Sequence, residues 1–260
     1  MSVPAPPYPT GHDLLADRNV LVTAAAGTGI GFATAKRCAE EGATVLISDI
    51  HERRLGEAAE RLAEVATRPV HTQLCNVTQQ PDVDALWAAA QEKLGHVDVL
   101  MNNAGLGGEV DLVDMSDAQW NAVLDVTLGG TFRMMRAGLQ HMYAHGGGAI
   151  VNNASVLGWR AQRGQSHYAA AKAGVMALTR CSAVEGAEHG VRVNAVAPSI
   201  ALHPFLVKVT TQELVDELEA RELYGRAALP WEVANVMVFL ASDLSSYMSG
   251  EVVSVSSQHP

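Results

Sequence analysis

A chain of 260 residues that is 48% hydrophobic and 18% charged is long enough to bury one large core. Its formal net charge of −10 argues against nucleic acid or an anionic membrane surface as the main partner. No apolar run reaches the ~20 residues of a membrane span, so no membrane partner is expected. Cys38, Cys75 and Cys181 stand far apart with no CxxC pair. That spacing indicates neither a disulfide framework nor a zinc site or other metal centre, and a reducing cytoplasm is the simplest home.

The N-terminus, Met1 to Thr10, is rich in proline and lacks both a basic region and an apolar core, so it is not a signal peptide. Residues 1–15 read as a disordered arm, because proline cannot continue a helix or a sheet ladder. Residues 16–260 read as one domain. Asn19–Thr23 is a first strand, followed by a glycine-rich turn and a helix from Ile30 to Glu41. A strand at Ala43–Ser48 precedes a charged helix from His51 to Val65. Pro69–Leu74 and Asp82–Leu94 repeat that rhythm, and His96–Met101 is a fourth strand. One long helix is expected from Asp117 to His145, then strands at Gly148–Asn152 and Val191–Ala197 with a helical segment from Tyr168 to His189 between them. Pro230–Ala241 is a last helix and Glu251–Val255 a last strand. Near-continuous apolar strands alternating with amphipathic helices predict an α/β fold, a doubly wound parallel sheet of Rossmann type with helices on both faces. Ser199–Tyr224 is the least regular stretch, and a substrate lobe is expected there.

Two sites stand out within this frame. Gly27, Gly29 and Gly31, with Ile30 between the last two, lie between the first strand and the first helix. Glycines there let backbone approach a pyrophosphate, and the helix N-terminus supplies N–H donors. Asp49 ends the second strand, where a carboxylate can bind ribose hydroxyls and repel a 2′-phosphate; the competing role is a helix N-cap. NAD is therefore expected over NADP, although Arg53 and Arg54 are placed to hold a 2′-phosphate. Tyr168 and Lys172 are four residues apart, so they share one helix face. A cation there should lower the phenol pKa and make Tyr168 a usable acid/base, and Ser155 is spaced to hydrogen-bond the same reacting oxygen. The bland alternative is a packed aromatic beside a solvated lysine.

Together these residues resemble the short-chain dehydrogenase/reductase family over about Asn19 to Val255. Its TGxxxGIG turn is matched by Thr23–Gly31, one residue longer and with alanine in place of the first glycine, which implies a changed loop path. Its NNAG is intact as Asn102-Asn103-Ala104-Gly105. Its acidic adenine contact falls on Cys75-Asn76-Val77, where Asn76 can still accept from an adenine amine. The resemblance implies that Ser155, Tyr168 and Lys172 are catalytic, and that Tyr168 and Lys172 also meet the dinucleotide. It assigns Gly27, Gly29, Ile30, Gly31, Asp49, Asn76, Val77, Asn103, Ala104, Gly105, Pro198 and Ile200 to cofactor binding. Two positions depart from the pattern. Thr127 stands where a relay asparagine is common, and His203 precedes Pro204 where a threonine is usual.

The stretch Val156–His167 links the serine to the tyrosine, so it must border the site. Trp159 is suited to pack an alicyclic ring, and Arg160 or Arg163 to meet an anion; the alternative is an ordinary surface loop. Asn152–Gln162 and Ser254–Gln258 resemble an actinobacterial branch acting on bicyclic indanone acyl-CoA fragments of steroid C and D rings. The resemblance thus implies an acyl-CoA substrate. A 3-oxoacyl-thioester reductase is the nearest alternative, and a non-catalytic dinucleotide-binding scaffold the alternative of another class. Family members pack their long helices across a two-fold axis, which implies a homodimer or homotetramer.

Overall fold

The computed structural model describes residues 2–202 and 211–257. Among the described residues, seven strands form one sheet: β1 Asn19–Val22, β2 Thr44–Asp49, β3 Val70–Leu74, β4 Val99–Asn102, β5 Gly148–Asn153, β6 Val191–Pro198 and β7 Val252–Val255. Their order is β3-β2-β1-β4-β5-β6-β7, and every neighbouring pair is parallel. The helices are α1 Ile30–Glu40, α2 Glu52–Ala63, α3 Gln80–Leu94, α4 Asp117–Leu124, α5 Gly130–Ala144, α6 Ser166–Ala187, α7 Gln212–Arg221 and α8 Pro230–Ala241.

Strand side chains alternate between the two faces of the sheet. Val20, Val22, Val45 and Ile47 join the core with α1, α2 and α8, whereas Leu21, Leu46, Leu100 and Ile150 join the core with α3 and α5. All eight are fully buried, which is why these strands read as unbroken apolar runs. Burying such a side chain contributes about 1.5–3 kcal/mol. The chain winds outward through β2 and β3, then returns to place β4 on the other side of β1. That reversal opens a crevice at the carboxyl ends of β1 and β4, where ligands bind in sheets of this kind.

Three regions differ from the sequence reading. The long helix is broken: a π turn at Asp125–Gly129 separates α4 from α5. Thr127 lies in that turn, and its Oγ1 accepts from Leu106 N–H (3.0 Å) and donates to Leu106 C=O (3.1 Å). Gly130 follows because a Cβ there would fall 2.6 Å from Val77 Cγ2. The second region is the stretch expected to be irregular, which contains α7. Thr211 caps it by accepting from Leu214 N–H, and Val215 is its one buried residue. His203 and Pro204 lie outside the described residues, as does Gln258.

The N-terminal segment is the third. Residues 2–12 have no regular secondary structure, but they are not the free arm their prolines suggested. Glu41, fully buried, accepts on Oε2 from His12 N–H (2.8 Å) and Leu14 N–H (3.1 Å). Its Oε1 pairs with buried Arg37. Proline-rich chain cannot form its own ladder, yet its remaining N–H groups still need acceptors, and the end of α1 supplies them.

Candidate active site

Tyr168 and Lys172 lie one turn apart on α6, and Ser155 follows β5. Ser155 Oγ accepts from Leu157 N–H (3.2 Å), which starts a short 3-10 turn at Val156–Gly158 and fixes the serine at the strand end. Ser155 and Lys172 are buried, and Tyr168 is half-buried. Burial pushes the Tyr168 phenol above its ordinary value, while a hydrogen bond with Ser155 works against that rise. Burial also draws Lys172 down to about 8. Its Nζ donates to Asn153 C=O (2.5 Å) and sits 5.5 Å from the Tyr168 ring centroid. The phenol thus stands above its ordinary value, not below it as the spacing suggested, because burial is the largest influence on it; Lys172 lies beside it. Its ammonium is turned toward a carbonyl and is itself weakened by desolvation.

The glycine-rich turn lies beside this group. Ala24 stands where the family pattern has glycine, and it holds a left-handed conformation at φ 52°. A left-handed alanine costs about 1–2 kcal/mol. Its carbonyl accepts from Asn103 Nδ2 (3.2 Å), and Thr23 Oγ1 accepts from the N–H groups of Asn103 (2.9 Å) and Ala104 (3.2 Å). Asn153 Nδ2 in turn donates to Asn103 Oδ1 (2.9 Å). The ends of β1, β4 and β5 are thus laced together around the turn. A Cβ on Gly31 would stand 2.3 Å from Ala24 O and 2.4 Å from Asn103 Nδ2, so only glycine fits there. A Cβ on Gly27 would meet nothing nearer than Gly29 N at 3.9 Å, so its outer face is open. Gly29 is the N-cap of α1 and offers no side-chain cap.

Asp49 supplies the carboxylate. Its Oδ2 accepts from Ala26 N–H (3.2 Å) and its Oδ1 from His51 N–H (3.1 Å). Burial raises its pKa, against the Ala26 N–H and the charge of Arg54, which lower it. The N-cap of α2 is His51, so capping is not the task of Asp49. Arg53 is paired with Glu57. An open glycine face, an uncapped helix N-terminus and a carboxylate at the next strand end fit a dinucleotide's pyrophosphate and ribose. A Cβ on Gly105 would lie 3.6 Å from Lys172 Nζ and 3.7 Å from Thr127 Oγ1, which brings the NNAG turn against the lysine. Asn76 is placed less simply. Its Oδ1 already accepts from Thr78 N–H (3.1 Å) and Thr78 Oγ1 (2.9 Å), so the acceptor expected to meet adenine is engaged locally. Val77 is buried against Gly130.

A pocket of about 290 Å³ opens over the tyrosine. Ser155, Tyr168 and Asn153 line it together with Ile30, Pro198 and Ile200. Val156, Leu157, Ala161 and Leu218 give it apolar walls, and Arg160 and Arg221 also line it. Asn153 Oδ1 is buried with no partner, a polar atom left for a ligand group. Trp159 is not part of the lining. It is 45% exposed, because the 3-10 turn after Ser155 seats Gly158 on Met176 and swings the next side chain outward. Arg163 is also outside, spent on an exposed bidentate pair with Asp111. Sequence reasoning missed Asn153, Leu218 and Arg221. The last two lie on α7, within the 199–224 stretch where a substrate lobe was expected, but the weak apolar pattern of that helix singled out neither residue. A second, open hollow of about 700 Å³ lies on α4 and α5, lined by Asn121, Leu124, Leu128 and Phe132, and takes in none of these groups.

Residues 24–257 match a protein family described as enoyl-(acyl carrier protein) reductase. The chain is 60% identical over 257 residues to the (5R,7aS)-5-hydroxy-7a-methyl-1-oxo-2,3,5,6,7,7a-hexahydro-1H-indene-carboxyl-CoA reductase of Mycobacterium tuberculosis, covering 98% of each chain. It is 39% identical to a 3-oxoacyl-(acyl-carrier-protein) reductase of Thermotoga maritima, over 90% of this chain and 94% of that protein. A solved short chain dehydrogenase from Mycobacterium smegmatis superposes with a TM-score of 0.89 at 56% identity, covering 99% of each chain. The chain belongs to the short-chain dehydrogenase/reductase family, as an oxidoreductase that uses a nicotinamide dinucleotide.

Proposed function

We propose that the protein interconverts a ketone and a secondary alcohol on a bicyclic, steroid-derived acyl-CoA, with NAD(H) as its dinucleotide. The observation that carries this reading is the convergence of Ser155, Tyr168 and Lys172 under a largely apolar pocket that adjoins the glycine turn. The relative at 60% identity, named for an indene-carboxyl-CoA substrate, supports the choice of ring system. A bound nicotinamide supplies or accepts the hydride at the carbonyl carbon. Tyr168 donates its phenolic proton to the oxygen as negative charge develops there. Ser155 Oγ hydrogen-bonds the same oxygen and holds it in line with the phenol. Lys172 Nζ, anchored on Asn153 C=O, places a positive charge behind the tyrosine. A phenol held protonated by burial suits reduction at neutral pH, because the acid is already loaded. The carboxylate of Asp49 supports NAD(H) over NADP(H). Ile30, which follows the glycine turn, lines the pocket together with Pro198 and Ile200, so these three would be the residues to meet a bound nicotinamide.

Size also favours a compact ring. A cavity of about 290 Å³ admits a bicyclic head group and leaves the CoA portion outside. The test is turnover of an oxo-indane acyl-CoA against a linear 3-oxoacyl thioester of similar length. The expected result is kcat/KM at least about 10-fold higher for the ring, the scale on which an apolar pocket discriminates. A preference for the linear thioester would transfer the assignment to fatty-acid type reduction.

Assembly belongs to the same reading. Phe132 on α5 and Val184 on α6 are exposed apolar residues, at 44% and 77%. Together with the hollow on α4 and α5, they offer a face for a second copy, giving a homodimer or homotetramer. Light scattering should report a mass at least twice 27.5 kDa; a stable monomer would refute it.

A further inference from the structure

We infer that the N-terminal segment, through Val3 and Tyr8, positions the wall of the substrate pocket that carries Leu218 and Arg221. This rests on reading that pocket as the substrate site. The wall is α7, and α7 is poorly held by its own packing, since Val215 is its one buried residue. What fixes it is the segment just after it. Val3 N–H donates to Tyr224 C=O (2.8 Å), and Val3 C=O accepts from Arg226 Nε (2.9 Å). Arg226 is itself clamped to Glu232 on α8 by two bonds, 2.7 and 2.8 Å long. Leu223 N–H reaches Ser257 C=O (3.2 Å), which ties the same segment to the chain's other end.

The N-terminal segment can bear this load because its own far end is anchored. Tyr8 Oη donates to Glu40 (2.7 Å), and its ring meets Trp231 edge-on with centroids 5.4 Å apart. Lys36 Nζ lies 4.3 Å from the same ring centre. Further along, the buried Arg37–Glu41 pair holds His12 and Leu14 by their backbone N–H groups. A Cβ on Gly11 would fall 2.2 Å from Glu40 O, so the backbone lies directly on the end of α1. The segment thus runs as a strap from α1, over α8, to the residues that end α7. Loosening it frees α7 while leaving Ser155, Tyr168, Lys172 and the glycine turn untouched.

The experiment compares wild type with two variants: one lacking residues 2–9, and the full-length Val3→Pro, which removes the N–H donor to Tyr224 while keeping the carbonyl that accepts from Arg226. Each is assayed with whichever carbonyl substrate the wild type reduces, so failure of the ring assignment does not affect the comparison. Truncation is expected to raise the substrate KM by about 10-fold and Val3→Pro by about 3-fold, the scale of one to two lost hydrogen bonds. The dissociation constant for the dinucleotide should stay within about twofold, since the strap meets the C-terminal end of α1 and the dinucleotide its N-terminal end. Hydrogen exchange, which needs no substrate, should speed up over residues 212–226 and not in α3. Two results would overturn the inference. One is a lower melting temperature with wild-type KM, a purely stabilising role. The other is a parallel loss of substrate and dinucleotide affinity, a general loosening of the fold.

Discussion

Tyr168→Phe is expected to lower kcat by ~10²–10⁴-fold, the usual contribution of a positioned acid/base group. The ring and its packing on α6 are kept, and the only atom lost is the hydroxyl facing Ser155. Dinucleotide binding should therefore be unchanged, and titration of bound NADH checks it in parallel. The pH dependence carries its own sign. Because burial holds the phenol protonated, the reductive reaction should not lose its acid at neutral pH. Lys172, at about 8, loses its charge first. kcat/KM for reduction should then fall as pH rises through about 8, and Lys172→Met should flatten that limb. For stability the sign is opposite. Between about 8 and the ordinary lysine value of 10.5 the unfolded chain binds more protons, so this group's contribution to folding rises with pH. A Tyr168→Phe variant with most of its activity would remove the tyrosine from the mechanism.

Asp49→Ser is expected to shift the ratio of kcat/KM for NADH over NADPH by about 100-fold toward NADPH. Hydrogen bonds to a charged group contribute about 1.5–3 kcal/mol, so their loss costs NADH roughly 10–100-fold. Removing the carboxylate also lifts its repulsion of a 2′-phosphate, and Arg54, close enough to act on Asp49, becomes available to that phosphate. Part of the loss will fall on both dinucleotides, because Asp49 also holds the turn through Ala26 N–H. The ratio, not either value alone, is the test. A wild type that already prefers NADPH would show that the arginines set the choice.

What was legible in the sequence is local. β1, β2 and β5 read correctly because each is buried on both faces and carries an unbroken apolar run. The spacing of Ser155, Tyr168 and Lys172 was readable because a helix turn and one short loop set it. The glycine turn was readable for its position, though not its path. Ala24 keeps the left-handed bend that glycine normally supplies, held by Asn103 from another strand. The break at Asp125–Gly129 was hidden, since a π turn adds a residue without disturbing the surrounding helical composition. Helix α7 was hidden because one buried residue makes no apolar stripe. That Trp159 and Arg163 lie outside the pocket was not readable, because the loop's direction depends on where Gly158 meets Met176 and where Arg163 finds Asp111. The N-terminal segment looked disordered because its partners, Glu41 and Tyr224, are far away in sequence.

The most direct test of the central claim follows the hydride itself. NADH deuterated at C4 on the transferred face is incubated with the oxo-indane acyl-CoA, and the alcohol is analysed by mass spectrometry. The account predicts one deuterium per product molecule, at the carbinol carbon, formed by the wild type and nearly absent with Tyr168→Phe. A protein that binds NADH tightly yet transfers no deuterium from either face to any ketone offered would contradict it, and would identify the chain as a dinucleotide-binding scaffold.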